Sequence, residues 1–188
     1  MKLLPEGVSK FTEIIDNDLY FVDKTPYIAE FEKRKKFFLF FVRPRLFGKS
    51  VFLNMLETYY DIARKAQFEH YFGNTWIYRH VTPEQGKYQV IYLDFSIISS
   101  DMANIKSKFN LMIGYQITEC AKKYRDLYDD DFIADIEGIS TAKNKLDHFC
   151  AIANEKGYPV YLFIDEYDHI VRDILRAHVI KNPQILIK

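Results

Sequence analysis

The stretch that most constrains this chain runs from Lys36 to Ser50, KFFLFFVRPRLFGKS. A block of bulky apolar residues, Phe37 to Val42, passes without interruption into Arg43, Pro44, Arg45, Leu46, Phe47, Gly48, Lys49 and Ser50. Beyond it Val51, Phe52, Met55, Leu56, Tyr59 and Ile62 recur at helical spacing. The block predicts a buried strand and the periodic stretch a helix packed back upon it. A loop ending Gly-Lys-Ser between strand and helix is the arrangement in which backbone N–H groups and a helix N-terminus cradle phosphate, a P-loop. In that reading the Lys49 amine reaches the outer phosphates, the Ser50 hydroxyl binds Mg²⁺, and Arg43, Arg45, Phe47, Gly48 and Val51 complete the loop. One position departs from the motif: where it asks for a glycine ahead of Gly48, this chain has Arg43. Arginine does not take positive φ as glycine does, so the loop must follow another path or be filled by the side chain itself. The competing reading is a plain turn entering a helix, a junction where Gly, Lys and Ser are all common.

A second signal stands at the far end of the sequence. Gly157 is placed to stop a helix of about Thr141 to Lys156, with Leu146, Phe149, Cys150 and Ile152 inward. Then Tyr158-Pro-Val-Tyr-Leu-Phe-Ile-Asp-Glu166 reads as a buried strand with Asp165 and Glu166 at its carboxyl tip, followed by a helical tail from Tyr167 to about Ile180. A nucleotide hydrolase needs such a pair opposite its phosphate loop. The aspartate holds Mg²⁺, usually through water, and the glutamate orients and deprotonates the attacking water. Each motif sits on its expected strand end, in the order such a fold requires, so each supports the other. The spatial expectation is that Lys49 and Asp165 converge on one magnesium-phosphate pocket.

Between these ends, Tyr88 to Phe95 reads as another buried strand, with Asp94 at its end either facing a ligand or capping the next loop. Ile105, Phe109, Met112, Ile113, Ile117, Cys120 and Tyr124 mark a long amphipathic helix between Asp101 and about Tyr128, ended by the acidic run Asp129-Asp130-Asp131, read as a solvated loop. Phe68, Tyr71, Phe72, Trp76 and Tyr78 read as an aromatic packing cluster, since no basic patch interleaves them as base stacking on nucleic acid would require. Ahead of the loop, Thr25-Pro26 starts a helix that continues toward Lys36, while Asp23 and Lys24 read as a solvated turn. His169 and His178 do not share a helix face, which argues against a metal site there.

Length and charge narrow the class. The 188 residues suit one α/β domain with a sizeable core. Lys+Arg and Asp+Glu balance at 26 each, so no net field draws the chain to nucleic acid or an anionic membrane, and neither partner is expected. The longest apolar run is too short to span a bilayer, and the N-terminus has no signal-like apolar region, so a cytoplasmic location with reduced thiols at Cys120 and Cys150 is expected.

Tyr20-Phe-Val-Asp-Lys-Thr25, Arg43-Pro-Arg-Leu-Phe-Gly-Lys-Ser50, the Val90 to Phe95 strand and Ile164-Asp-Glu-Tyr-Asp168 together resemble the AAA-ATPase-like proteins of bacteria. The resemblance runs from about Pro5 to His169. It implies the family's roles for Lys49, Ser50, Asp165 and Glu166, and a part for Arg43 or Arg45 in touching phosphate or ordering the loop; the arginine-proline lead-in is normal there. Many family members carry a PD-(D/E)XK nuclease-like domain after the ATPase part, and full-length members are possible oligomers. The expected fold is a three-layer α/β P-loop parallel sheet of the additional-strand class, preceded by a lead-in over residues 1–35 and occupying 36–188. That class orders its strands fifth, first, fourth, third, second; here the first leads into Gly48, the second ends near Asp94 and the third at Asp165, and a fourth should lie between first and third. Only Gln184 to Lys188 offers a fourth strand, so the sheet is expected to be incomplete at its C-terminal side, the product truncated before the nuclease-like region, and turnover doubtful. The alternative function is a non-enzymatic interaction or regulatory remnant with a vestigial P-loop. A nucleotide or small-molecule kinase fits less well, since it has no use for Asp-Glu on one strand.

Overall fold

A computed structural model describes residues 2–34, 39, 41–42, 47–97 and 104–168. The chain divides into two compact units, Met1–Val90 and Ile91–Lys188. The first holds α1 (Phe11–Asp16), α2 (Pro26–Lys33), α3 (Lys49–Tyr60) and α4 (Phe68–Phe72), with short 3-10 turns at Ile62–Gln67 and Trp76–Arg79. Helix α3 is its spine. The apolar spacing read from the sequence buries Phe52, Met55, Leu56 and Tyr59, and α1 lies against it. Phe11, fully buried on α1, meets Phe21 at 5.0 Å and Phe72 at 5.2 Å between ring centroids. Tyr59 is edge-on to Phe72 at 5.5 Å and to Phe68 at 5.9 Å. Each large aromatic so buried contributes roughly 1.5–3 kcal/mol, and Phe68, Tyr71 and Phe72 pack as expected.

The C-terminal end of α3 would leave carbonyls without partners. Gly86 donates to the Tyr59 carbonyl at 3.0 Å and Tyr88 to that of Tyr60 at 2.9 Å, while Ile62 donates to the Tyr88 carbonyl at 2.8 Å. A parallel bridge between Asp61 and Tyr88 results. Beside it the Tyr60 hydroxyl donates to Glu32 at 3.1 Å and the Thr82 hydroxyl donates to the same oxygen at 2.8 Å. Thr82 Oγ1 is thereby left to accept from Tyr59 at 2.9 Å.

The second unit carries a mixed α/β arrangement. Strand β1 (Gln89–Asp94) is followed by α5 (Ile105–Lys123), α6 (Asp130–Gly138), α7 (Ala142–Glu155) and β2 (Val160–Asp165). β1 and β2 are hydrogen-bonded neighbours in a small open parallel sheet. Parallel strands need a crossover of this kind, and their adjacency is the pairing expected of the second and third strands. Ile113, Ile117, Cys120 and Tyr124 of the long-helix region are buried, as is Phe149 on α7, and α5 and α7 pack on each other. The Asn110 side chain accepts from Ala142 N at 3.2 Å, so α5 helps cap α7, whose own Thr141 accepts from Asn144 N. Gly157 is left-handed at φ 76° and ends α7 as expected, with Tyr158 N bonded to the Ala153 carbonyl at 2.8 Å. Cys120 is buried and Cys150 half-buried, and the two are not joined in a disulfide.

Two expectations are corrected, and one buried lysine joins the core. The run Asp129-Asp130-Asp131 is no solvated loop: Asp129 caps α6 by accepting from Phe132 N at 3.0 Å, and the helix begins at Asp130. Lys145, on the face of α7 that also carries the inward residues, is itself buried and donates to the Ile136 carbonyl and to Thr118 Oγ1. Its stem passes Gly114, where a Cβ would stand 3.5 Å away in ordinary contact. Burial lowers the affinity of Lys145 for its proton, and the carbonyls ending α6 offset that cost. Leu39, Phe41 and Val42, expected in a buried strand, are exposed and outside any strand, although Phe41 stacks on Phe52 at 5.1 Å. Apolar composition sets a preference for burial, and pairing and covering partners decide it. The rest of that strand, Arg43 and Arg45, the tail beyond Asp168 and Gln184 to Lys188 lie outside the described residues. No helix among the described residues is long and apolar enough to cross a membrane.

Burial holds the Glu32 carboxyl above the ordinary glutamate value, against the Thr82 and Tyr60 hydroxyls, which favour the anion. The folded chain therefore keeps this proton to higher pH than the unfolded chain. Stability from this group is complete below the unfolded value, about 4.3, and is lost as pH rises through the raised folded one. Glu32→Gln, which keeps an oxygen for both hydroxyls, should remove that decline. Melting temperatures across this window should show wild type losing stability relative to the variant as pH rises; parallel curves would contradict this origin.

Candidate functional site

In the first unit the loop candidates meet at the start of α3. Gly48 precedes the helix at φ 71° and ψ 33°, the left-handed region, and its carbonyl accepts from Phe52 N at 2.9 Å. A residue with a Cβ is disfavoured there, which is why the motif places glycine at this position. Lys49, Ser50 and Val51 form the first turn of α3 and are half-buried, while Phe47 is exposed. The helix dipole and the leading amides make this end electropositive, and Lys49 adds an ammonium with no ion pair among the described residues.

Asp23 is exposed, as the reading of a solvated turn requires, but its carboxylate is also bound to backbone. Its carboxylate accepts from Thr25 N at 2.8 Å and from Trp76 N at 2.7 Å. Thr25, fully buried, uses its hydroxyl to accept from Ile77 N at 3.1 Å and not to cap α2. Lys24, held between these two anchored residues, donates to the Phe47 carbonyl at 3.4 Å. The signal for this was the Asp-Lys-Thr order itself, two side chains able to accept from backbone on either side of a cation, but its partners lie some fifty residues away.

In the second unit the carboxylate candidates stand at the tip of β2. Asp165 accepts from its own neighbour, Glu166 N, at 2.9 Å, and through its other oxygen from the Tyr92 hydroxyl at 2.9 Å. Tyr92 lies on β1, so the neighbouring strand orients the carboxylate. Glu166 has φ 51°, a left-handed conformation costing a non-glycine residue roughly 1–3 kcal/mol and concentrated at functional sites. Asp94 is committed to structure: it accepts from Ser96 N at 2.8 Å, and its backbone is bracketed by the Gln116 amide at 2.7 and 3.0 Å. It caps the following turn. The sequence reasoning missed Tyr92, because a tyrosine in an apolar strand carries no mark of its cross-strand partner.

The donor chemistry suits magnesium, which prefers oxygen ligands and keeps several waters. In the second unit each oxygen of the Asp165 carboxylate accepts one hydrogen bond and retains a lone pair. Among the described residues no group of three or more His, Cys, Asp or Glu is arranged to hold a metal by itself, and a phosphate-bridged ion does not need one.

Gly48→Ala should destabilise the chain by about 1–2 kcal/mol, the cost of a left-handed conformation with a Cβ. The new methyl would meet only Lys24 Nζ at an ordinary 3.6 Å, so the loss should come from the backbone. Gly48→Asn should lose less, and denaturant unfolding of both variants checks this.

No curated protein and no solved structure matches the chain. The family model described as "Predicted AAA-ATPase" matches residues 5–185, covering the Gly-Lys-Ser turn, the Asp-Lys-Thr segment and the Asp-Glu strand tip together. The chain therefore belongs to the AAA-ATPase-like family.

Proposed function

We propose that this chain binds Mg·ATP and hydrolyses it. The observation that carries the reading is the left-handed Gly48 opening a helix with Lys49 and Ser50 in its first turn, within a chain whose family is that of an ATPase. Backbone amides from Gly48 to Val51 bind phosphate oxygens, the Lys49 ammonium offsets charge on the outer phosphates, and Phe47, Arg43 and Arg45 order the loop or touch phosphate. Ser50 and Asp165 hold Mg²⁺, which when bound neutralises charge developing on the transferred phosphoryl group. Tyr92 keeps the Asp165 carboxylate in one orientation. Glu166 accepts a proton from the attacking water, its strained backbone fixing where the carboxylate leaves the strand tip.

The same proposal gives the chain a three-layer P-loop sheet of the additional-strand class over residues 36–188, with 1–35 as its lead-in. The observed neighbouring of β1 and β2 is consistent with that strand order. A cytoplasmic location and a nucleotide as the small-molecule partner follow from the same reading.

Calorimetric titration of Mg·ATP should show Lys49→Ala binding about ten- to a hundredfold more weakly than wild type, the scale of one lost charge-assisted contact. Equal affinities would end the case for this loop. Glu166→Gln should retain binding while phosphate release falls by roughly 10²–10⁴-fold, as loss of a general base does. Binding without turnover in the wild type, unaltered by Glu166→Gln, would instead mark a non-enzymatic module governed by nucleotide.

A further inference from the structure

We propose that Lys24 is a second phosphate-binding cation of the nucleotide site, delivered to the loop from outside it. This inference rests on the nucleotide-binding reading above and adds a residue to it.

The argument begins with the anchoring of the segment. Asp23 takes two backbone N–H groups, one from Thr25 and one from Trp76, at 2.8 and 2.7 Å, and Thr25 takes a third from Ile77 at 3.1 Å. Two of these bonds tie the flanking residues to the turn at Trp76–Arg79, and the third joins Asp23 to Thr25 across Lys24, so its backbone is fixed onto that turn. Bonds to a carboxylate are among the stronger kind, so the backbone beneath Lys24 is held firmly. The lysine is presented, and only its side chain keeps freedom.

What it is presented to is the second step. Lys24 Nζ lies 3.4 Å from the Phe47 carbonyl and 3.6 Å from the place a Cβ of Gly48 would fill. Among the described residues the Phe47 carbonyl is its one hydrogen-bond acceptor, and no carboxylate pairs with it. An ammonium has three donors, and a contact of this length to a neutral carbonyl is a weak use of one. Lys49, immediately after Gly48, likewise has no ion pair among the described residues. Two uncompensated ammonium-bearing residues therefore flank a left-handed glycine at the positive end of α3. Like charges gathered at a helix N-terminus without a counterion are stabilised by an anion between them. A polyphosphate supplies it, and Lys24 exchanges its carbonyl contact for a charge-assisted bond to phosphate, which is about twice as strong.

The test is titration of the full chain with Mg·ATP in four forms: wild type, Lys49→Ala, Lys24→Met and Lys24→Arg. Lys24→Met keeps the stem and removes the charge. The expected result is a dissociation constant at least about tenfold higher for Lys24→Met, recovered largely by Lys24→Arg, with the melting temperature of the nucleotide-free protein unchanged in both. Wild-type affinity in Lys24→Met, with affinity lost in Lys49→Ala, would overturn the role of Lys24 and leave the nucleotide site standing. Weakened binding that follows a lowered melting temperature and is not recovered by arginine would assign Lys24 a structural role and equally overturn it. Failure of the wild type to bind Mg·ATP would overturn both readings.

Discussion

The packing of aromatic rings around the last turns of α3 is the constraint on which the first unit depends. Tyr59 and Tyr60 are almost wholly buried, and the two carbonyls that end the helix receive Gly86 and Tyr88. A helix of 12 residues anchored at one end is a rigid rod of roughly 18 Å. Its other end, with Gly48, Lys49 and Ser50, stays only partly covered. Rigidity at one end and exposure at the other is what a binding turn requires, since amides must be aimed before a ligand arrives to be worth much to it.

Side-chain acceptors do comparable work in both units. Asp23 joins backbone at 25 and 76, Glu32 gathers hydroxyls from 60 and 82, and Asp165 is met by Tyr92 from the neighbouring strand. In each case a carboxylate fixes segments distant in sequence, and a bond to a charged group contributes more than a neutral one. Lys145 inverts the pattern: a buried cation gathers carbonyls from the end of α6. Such groups are tolerated away from water because their partners are supplied, and removing a partner would leave the charge exposed to a poor solvent.

Among the described residues two non-glycine residues take positive φ, Asp18 at 49° and Glu166 at 51°, and of these Glu166 stands at the candidate site. Gly48 takes positive φ at no steric cost, whereas Glu166 takes it against the preference of its own Cβ. The bond from Glu166 N back to Asp165 compensates in part. A strand that ended in relaxed backbone would send the glutamate elsewhere.

Local signals settled much of this. The spacing of Phe52, Met55, Leu56 and Tyr59 fixed which face of α3 is inward; Thr25-Pro26 marked the start of α2 and Gly157 the end of α7; the runs ending at Asp94 and Asp165 became strands, although Leu162 and Ile164 of the second are exposed and not buried as expected. These succeed because period, capping and glycine conformation act within a few residues. The cap at Asp129 was equally local, with Phe132 and Ile136 following at helical spacing, and was obscured by its acidic neighbours. What only tertiary structure decided was everything requiring a distant partner: that Lys145 is interior, that Asp94 serves a turn, that Phe41 stands exposed, that Asp23 and Thr25 grip residues 76 and 77, and that Tyr92 orients Asp165. A side chain's chemistry is written in its own letter, but its burial and its hydrogen-bond partner are set by which remote segment folds against it.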